Sequence, residues 1–190
     1  MITNDYSYWH RIISSRITET VSGITSIRQW TCPQSSFVKL NFDASFKEKT
    51  KDVGIGLILR NCAGVRDGGR CYYIKVMDPE QAEAKALLEA IIWARRKGIR
   101  KLHLKGDCEN VIRALNGSLS SIKWTIRNII LDSLNLLDYF EGWLCTHVHR
   151  DINHVADTIA KYARNSSADK EWIEAIPSWL ELCLQKDTFL

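Results

Sequence analysis

From Phe37 the chain alternates. Val38, Leu40, Phe42 and Ala44 interleave with Lys39, Asn41, Asp43 and Ser45, the period of a strand with one face buried. Lys47 to Asp52 forms a polar turn, and a second alternation follows, with Val53, Ile55, Leu57 and Leu59 set against Gly54, Gly56 and Ile58. The two glycines leave one face of that strand bare, where another backbone can approach. Beside Asp43, this bare face predicts an open site. Asn61-Cys62-Ala63-Gly64 predicts a turn, and Cys71 to Val76 a third strand, completing an antiparallel meander.

The period then changes. Asp78 is a good N-cap, Pro79 suits the first helical position and Gln81 completes a capping box, so a long helix is predicted from there to Lys97, stopped by Gly98. A short strand over Lys101–Leu104 and a short helix over Cys108–Leu115 follow. Ile126, Ile129, Ile130, Leu134, Leu137 and Phe140 then recur at helical spacing from Trp124. Trp143–Val148 predicts a fifth strand and Asn153–Arg164 a last helix. The tail, with Trp172, Ile173, Ile176, Trp179 and Leu180, is expected to pack back as helix or turn. The order βββαβααβα is that of an α/β domain with a five-stranded sheet flanked by helices. Residues 1–35 read as an extension, with Trp9, Ile12, Ile13, Ile17, Val21 and Ile24 at roughly helical spacing, ending in a linker around Cys32–Ser36. The folded domain is expected over 36–185, tail included.

Length and composition narrow this picture. At 190 residues with 45% hydrophobic content, the chain suits one domain with a substantial core, expected as a monomer. The net charge is +4, and Arg95, Arg96, Lys97, Arg100, Lys101 and Lys105 crowd one stretch. Such a run meets a polyanion or is a solvated helix end whose cations suit the C-terminal dipole. None of the six cysteines stands in a Cys-x-x-Cys pair, which speaks against structural zinc. Residues 1–20 lack a continuous apolar stretch of signal-peptide type, and no run is long enough to span a bilayer. Free thiols in a reducing compartment are therefore expected, intracellular, nuclear or cytoplasmic, with no membrane partner. H-E-x-x-H, H-x-E, G-x-S-x-G and a Gly-rich phosphate loop are all missing.

The candidate chemistry lies in four acids. Glu83 shares its helix stripe with Leu87, Ala90, Ile91 and Ala94, and a charge on an apolar stripe is costly unless it has a partner such as a cation. Asp43 lies inside a strand, where aspartate is disfavoured. Asp107 follows a strand and precedes a helix, so it either caps that helix or sits where ligands collect in α/β sheets. Asp157 lies one turn past Asn153, at the edge of an apolar stripe, where a solvated helix residue would also sit. Carboxylates are the hard oxygen ligands that Mg²⁺ prefers.

The strings VKLNFDAS, VGIGLILRN, AEAKALLEAIIWA, LKGDCENVIRALNG and VHRDINHVADTIAKYAR together resemble the type 1 ribonuclease H family, most closely plant RNase H-like domains of non-LTR retroelements. The similarity covers about residues 30–185. It implies an RNase H-like fold with a five-stranded mixed sheet and a catalytic, metal-binding set of Asp43, Glu83, Asp107 and Asp157. Two Mg²⁺ ions, with Mn²⁺ as an alternative, would serve hydrolysis of the RNA strand of an RNA/DNA hybrid. Arg150 and Asn153 match the plant pattern near the site and, with Arg95 and Arg96, are expected to contact nucleic acid. A reverse transcriptase polypeptide is a conceivable partner. The basic, Trp-containing protrusion of bacterial members has no room between Leu115 and Trp124, and their His-bearing loop before the last helix is lacking. Other nuclease chemistry on the same fold (junction resolvase or exonuclease) and a catalytically silent nucleic-acid-binding module are the alternatives.

Overall fold

The structure, a computed structural model, describes residues 30–189. The helix expected around residues 9–24 lies outside them. Strands β1 (Val38–Lys47), β2 (Asp52–Arg60) and β3 (Arg66–Lys75) form the meander, followed by helix α1 (Pro79–Arg96), β4 (Lys101–Gly106) and α2 (Glu109–Leu115). Helix α3 (Trp124–Leu137), β5 (Gly142–His147), α4 (His154–Ser166), β6 (Lys170–Trp172) and α5 (Ser178–Phe189) complete the domain. The sheet order is β5-β4-β1-β2-β3-β6; β1 pairs antiparallel with β2 and parallel with β4, and β4 parallel with β5.

Alternation on β1 sorts its residues between two layers. Leu40 and Phe42 join the core under α1 and α3, built with Leu87, Ile91, Trp93 and Ile130. The opposite face carries α4 and α5 over Ile58 and Cys71. There the glycines of β2 do something other than open a site. A Cβ on Gly54 would stand 1.9 Å from the Ala160 carbonyl oxygen, and one on Gly56 2.2 Å from that of Ala156. The bare face is filled by the backbone of α4, and that close docking sets where Asp157 stands.

The cap of α1 forms as expected, with a small shift. The Gln81 N–H donates to Asp78 Oδ1 at 3.1 Å, while the Gln81 side chain accepts from the Met77 N–H, one residue earlier than the cap itself. Two strand assignments change. β3 starts at Arg66, because Gly68 and Gly69 continue the ladder beneath Trp93 and Trp172 instead of turning. The sheet has six strands, not five: Lys170–Trp172 adds to the free edge of β3. A three-residue strand is too short to show alternation; pairing creates it. Its Glu171 is a clasp, accepting the Trp93 indole N–H at 2.9 Å and pairing with Arg70, Arg96 and Lys97. All six cysteines are free thiols. No helix among the described residues is long and apolar enough to cross a membrane.

Candidate active site

β1 and β4 run side by side only as far as the pair Asn41–Lys105. Beyond it the strands part, and a fork opens at their C-terminal ends. Asp43 lies two residues past the last pair on one arm and Asp107 two residues past it on the other. Helix α1 brings Glu83 to the gap, its neighbours Leu87, Ala90, Ile91 and Ala94 all buried in the core. One carboxylate oxygen from each of Asp43, Glu83 and Asp107 lies within 4.8 Å of the other two. Asp107 is not a helix cap, since Cys108 holds that position, and its carboxylate faces the fork.

The electrostatics follow from crowding three acids in a half-dry place. Burial first, then the charges of Glu83 and Asp107, push the Asp43 carboxyl far above the carboxylate range. Burial, then Asp107, raises Glu83, against which the Ala44 backbone N–H and the charge of Arg150 act. Glu83 Oε2 is buried and has no hydrogen-bond partner. A carboxylate with one buried, unpartnered oxygen, clustered with two further carboxylates, is a donor set for a hard cation: all oxygen, and anionic in excess. The acids line a cleft of about 610 Å³ together with Glu80, Asn110, Lys123 and Arg150.

The fourth acid differs. Asp157 contributes to the field at Asp43 and Glu83, but its carboxylate is already held by Lys161 at 2.6 Å and Arg150 at 3.9 Å. It stands at the rim and is not one of the three that share a 4.8 Å cluster.

Asn153 occupies an unexpected place. It is 1% exposed. Its Nδ2 donates to the Phe42 carbonyl at 2.9 Å and approaches Asp43 Oδ1 at 3.4 Å, while its Oδ1 accepts from Asn41 Nδ2 at 3.0 Å. Every polar atom of the amide is engaged inside the protein, so no surface remains for nucleic acid. Its geometry is that of a group holding Asp43, with Asn41 behind it. Arg150, by contrast, is exposed and borders the cleft. Arg95 and Arg96 lie twelve and thirteen residues beyond Glu83, roughly 18 Å along the helix axis. Arg95 stacks on the Tyr139 ring at 3.7 Å and Arg96 reaches Glu171. Arg100 pairs with Glu141, so the basic run of the sequence is divided in space. Among the described residues no histidine belongs to the acidic group; His147 contacts the Asp107 carbonyl and His149 pairs with Asp151. The Asn41–Asn153 link escaped the sequence reading, although a polar Asn41 between Lys39 and Asp43 on one strand face was its visible trace.

An acidic trio at the fork of a six-stranded mixed sheet of order βββαβααβαβα, with a helix docked on a glycine face, defines an RNase H-like α/β domain. The chain belongs to the family described as "Reverse transcriptase-like", which matches residues 41–163. It is 26% identical over 161 residues to the "Putative ribonuclease H protein" of Arabidopsis thaliana, covering 84% of this chain and 26% of that one. It is 30% identical over 124 residues to "Ribonuclease HI" of Halobacterium salinarum, covering 64% and 61%. The chain thus spans about a quarter and about three fifths of these two relatives. Among solved structures, RNase H1 of Halobacterium salinarum superposes with a TM-score of 0.65 at 26% identity, over 70% of this chain and 99% of that one. LC11-RNase H1 from compost, solved in complex with an RNA/DNA hybrid, shares the fold at 17% identity and TM-score 0.63, over 68% and 98%. The RNase H family generally uses divalent metals, and the acidic trio supplies matching ligands here.

Proposed function

We propose that this domain hydrolyses the RNA strand of RNA/DNA hybrids with Mg²⁺ held by Asp43, Glu83 and Asp107. Asp157 would complete the field from the rim, and the set would hold two ions. The observation that carries the reading is the clustering of the Glu83 carboxylate, whose Oε2 is buried and unpartnered, with those of Asp43 and Asp107. Metal at such a site activates water and offsets charge on the leaving oxygen. The protein's own groups do the rest. Asn153 fixes Asp43, the Ala44 N–H fixes Glu83, and Arg150 stands where a phosphate entering the cleft would pass. Arg95 and Arg96 would meet the duplex farther along, through its backbone and not its sequence. Mn²⁺ would serve in place of Mg²⁺, and the family's description fits attachment to a longer reverse transcriptase polypeptide.

The test is a labelled hybrid incubated with Mg²⁺ and run beside DNA duplex, branched DNA, RNA duplex and single strands. Cleavage of the RNA strand of the hybrid alone, lost on chelation, is expected. Cleavage of a branched DNA instead would assign a resolvase, and binding without cleavage a silent module.

A further inference from the structure

A second polar site stands behind the acidic one, on the same strands, with the opposite charge. Between the linker and the sheet lies a cavity of about 70 Å³, lined by Trp30, Thr31, Lys39, Asn41, Lys105 and the side chains of Val148 and Ile152. The short turn Arg150–Ile152 separates the two sites: Arg150 borders the acidic cleft and Ile152 this cavity. Lys39 is 3% exposed; its ammonium donates to the Thr31 carbonyl and lies 4.6 Å from the Trp30 ring centre, where Arg60 also stacks. Lys105, across the β1–β4 pairing from Asn41, makes no hydrogen bond or ion pair among the described residues. No carboxylate acts on either lysine.

The hydrogen-bonding capacity of the wall is unspent. The Trp30 indole N–H is buried with no partner. Asn41 is 4% exposed and its Oδ1 is likewise buried and unpartnered. That orientation is fixed from the far side: Asn153 must offer Nδ2 to the Phe42 carbonyl, so its Oδ1 takes the Asn41 Nδ2. The cavity therefore offers two ammonium groups and an N–H as donors, and one amide oxygen as acceptor. Buried polar groups left in this state are costly, and a ligand that pairs them recovers that cost.

We propose that this cavity binds a phosphate-class oxyanion in a protonated form, either free phosphate or a terminal phosphomonoester. Its unprotonated oxygens accept from Lys39, Lys105 and Trp30, and its remaining O–H donates to Asn41 Oδ1. Sulfate has the same shape and charge but no proton to give, so it meets an acceptor with an acceptor. The cavity has the volume of roughly two waters in the liquid, enough for one tetrahedral group and too small for a base beside it. Lys105 lies two strand residues from Asp107, roughly 7 Å. Asn41 connects through Asn153 to Asp43 Oδ1. An occupant therefore bears on the acidic site through one amide chain.

The experiment is isothermal titration of the full chain in EDTA and chloride buffer, without metal or turnover, so that its outcome is separate from that of the nuclease reading. Inorganic phosphate should bind at one site, and sulfate at least about tenfold more weakly, the worth of one hydrogen bond to a charged group. Lys105→Gln and Lys39→Met should each weaken phosphate by about the same factor, while Arg113→Ala, at an exposed arginine paired with Glu109 away from both sites, retains it. A folded far-UV spectrum qualifies each variant. An oligonucleotide with a 5′-phosphate, beside its 5′-hydroxyl twin, identifies the source: tighter binding of the phosphorylated end assigns a nucleic-acid terminus, and equal binding of the two a free anion. Absence of saturable phosphate binding, equal binding of sulfate, or indifference to both lysine substitutions would overturn the proposal.

Discussion

The acidic fork and the cationic cavity are built from the same two strands, a few residues apart, and both crowd like charges into a poorly solvated place. They differ in how that crowding is met. At the fork, burial raises Asp43 and Glu83 and so favours their protonated, neutral forms. In the cavity, burial and then the neighbouring Lys105 and Arg60 lower Lys39 to about 7, which favours its deprotonated, neutral form. Like-charge clusters of this kind are stable only when neutralised, by a proton change or by a counter-ion. The comparison teaches that one strand face can hold two ligand sites of opposite sign, provided an uncharged pair of amides stands between them. Asn41 and Asn153 are that partition.

The comparison breaks most visibly at the fork. Asp43→Asn or Asp107→Asn should reduce Mg²⁺-dependent cleavage by about 10³-fold, the worth of several kcal/mol of charge stabilisation. The same Asp43→Asn change should raise the melting temperature of the metal-free protein at neutral pH, because it removes a carboxyl that folding must bury and protonate beside Glu83 and Asp107; full activity in a gel assay would remove Asp43 from the site. Next comes the partition. Asn153→Ala leaves the Phe42 carbonyl and Asn41 amide without partners and should cost about 1–3 kcal/mol in urea unfolding. It should also lower kcat, since Asp43 loses its support.

The pH dependence separates the two regions by sign. Carboxyls with raised folded pKa values stabilise at acid pH, and that contribution is lost as pH rises above the ordinary carboxylate range. Lys39, lowered from 10.5 to about 7, acts in the other direction: between those values the unfolded chain binds more protons, so stability rises with pH. Melts of the metal-free protein should show the fall, and Lys39→Met should remove the rise above pH 7 while leaving the fall intact. The smallest effect is expected far from both regions. Arg95→Ala with Arg96→Ala should flatten the log–log salt dependence of hybrid binding by a slope of about 0.9 for each phosphate the two arginines neutralise, and raise KM more than it lowers kcat. An unchanged slope would leave the pair to Tyr139 and Glu171.

Much of the fold was legible because its signals are local. The alternation of β1, the cap and stop of α1 and the buried stripe that singled out Glu83 are all properties of a few consecutive residues. The clustering of Asp43 with Glu83 and Asp107 was legible through the resemblance. What escaped were facts about what lies opposite. Period-two alternation shows that Lys39, Asn41 and Asp43 share a face, but not that Trp30 roofs one end of it. Gly54 and Gly56 announce a close approach without saying that a helix backbone makes it. Arg95, Arg96 and Arg100 are neighbours in sequence, yet their partners Tyr139, Glu171 and Glu141 come from distant segments and divide the run. Asn153 was legible as important and not as interior, because burial of an amide depends on Phe42 and Asn41 meeting it.

The family match ends at residue 163, but the clasp made by Glu171 lies beyond it. Anyone trimming the chain to the matched segment would cut off the carboxylate that satisfies the Trp93 indole and gathers Arg70, Arg96 and Lys97. The edge of β3 would be bared at the same stroke, offering unpaired amides to any passing strand. For expression, crystallisation or transplantation into another polypeptide, the useful C-terminal limit is therefore set by β6 and the helix after it, not by where the recognisable motifs stop.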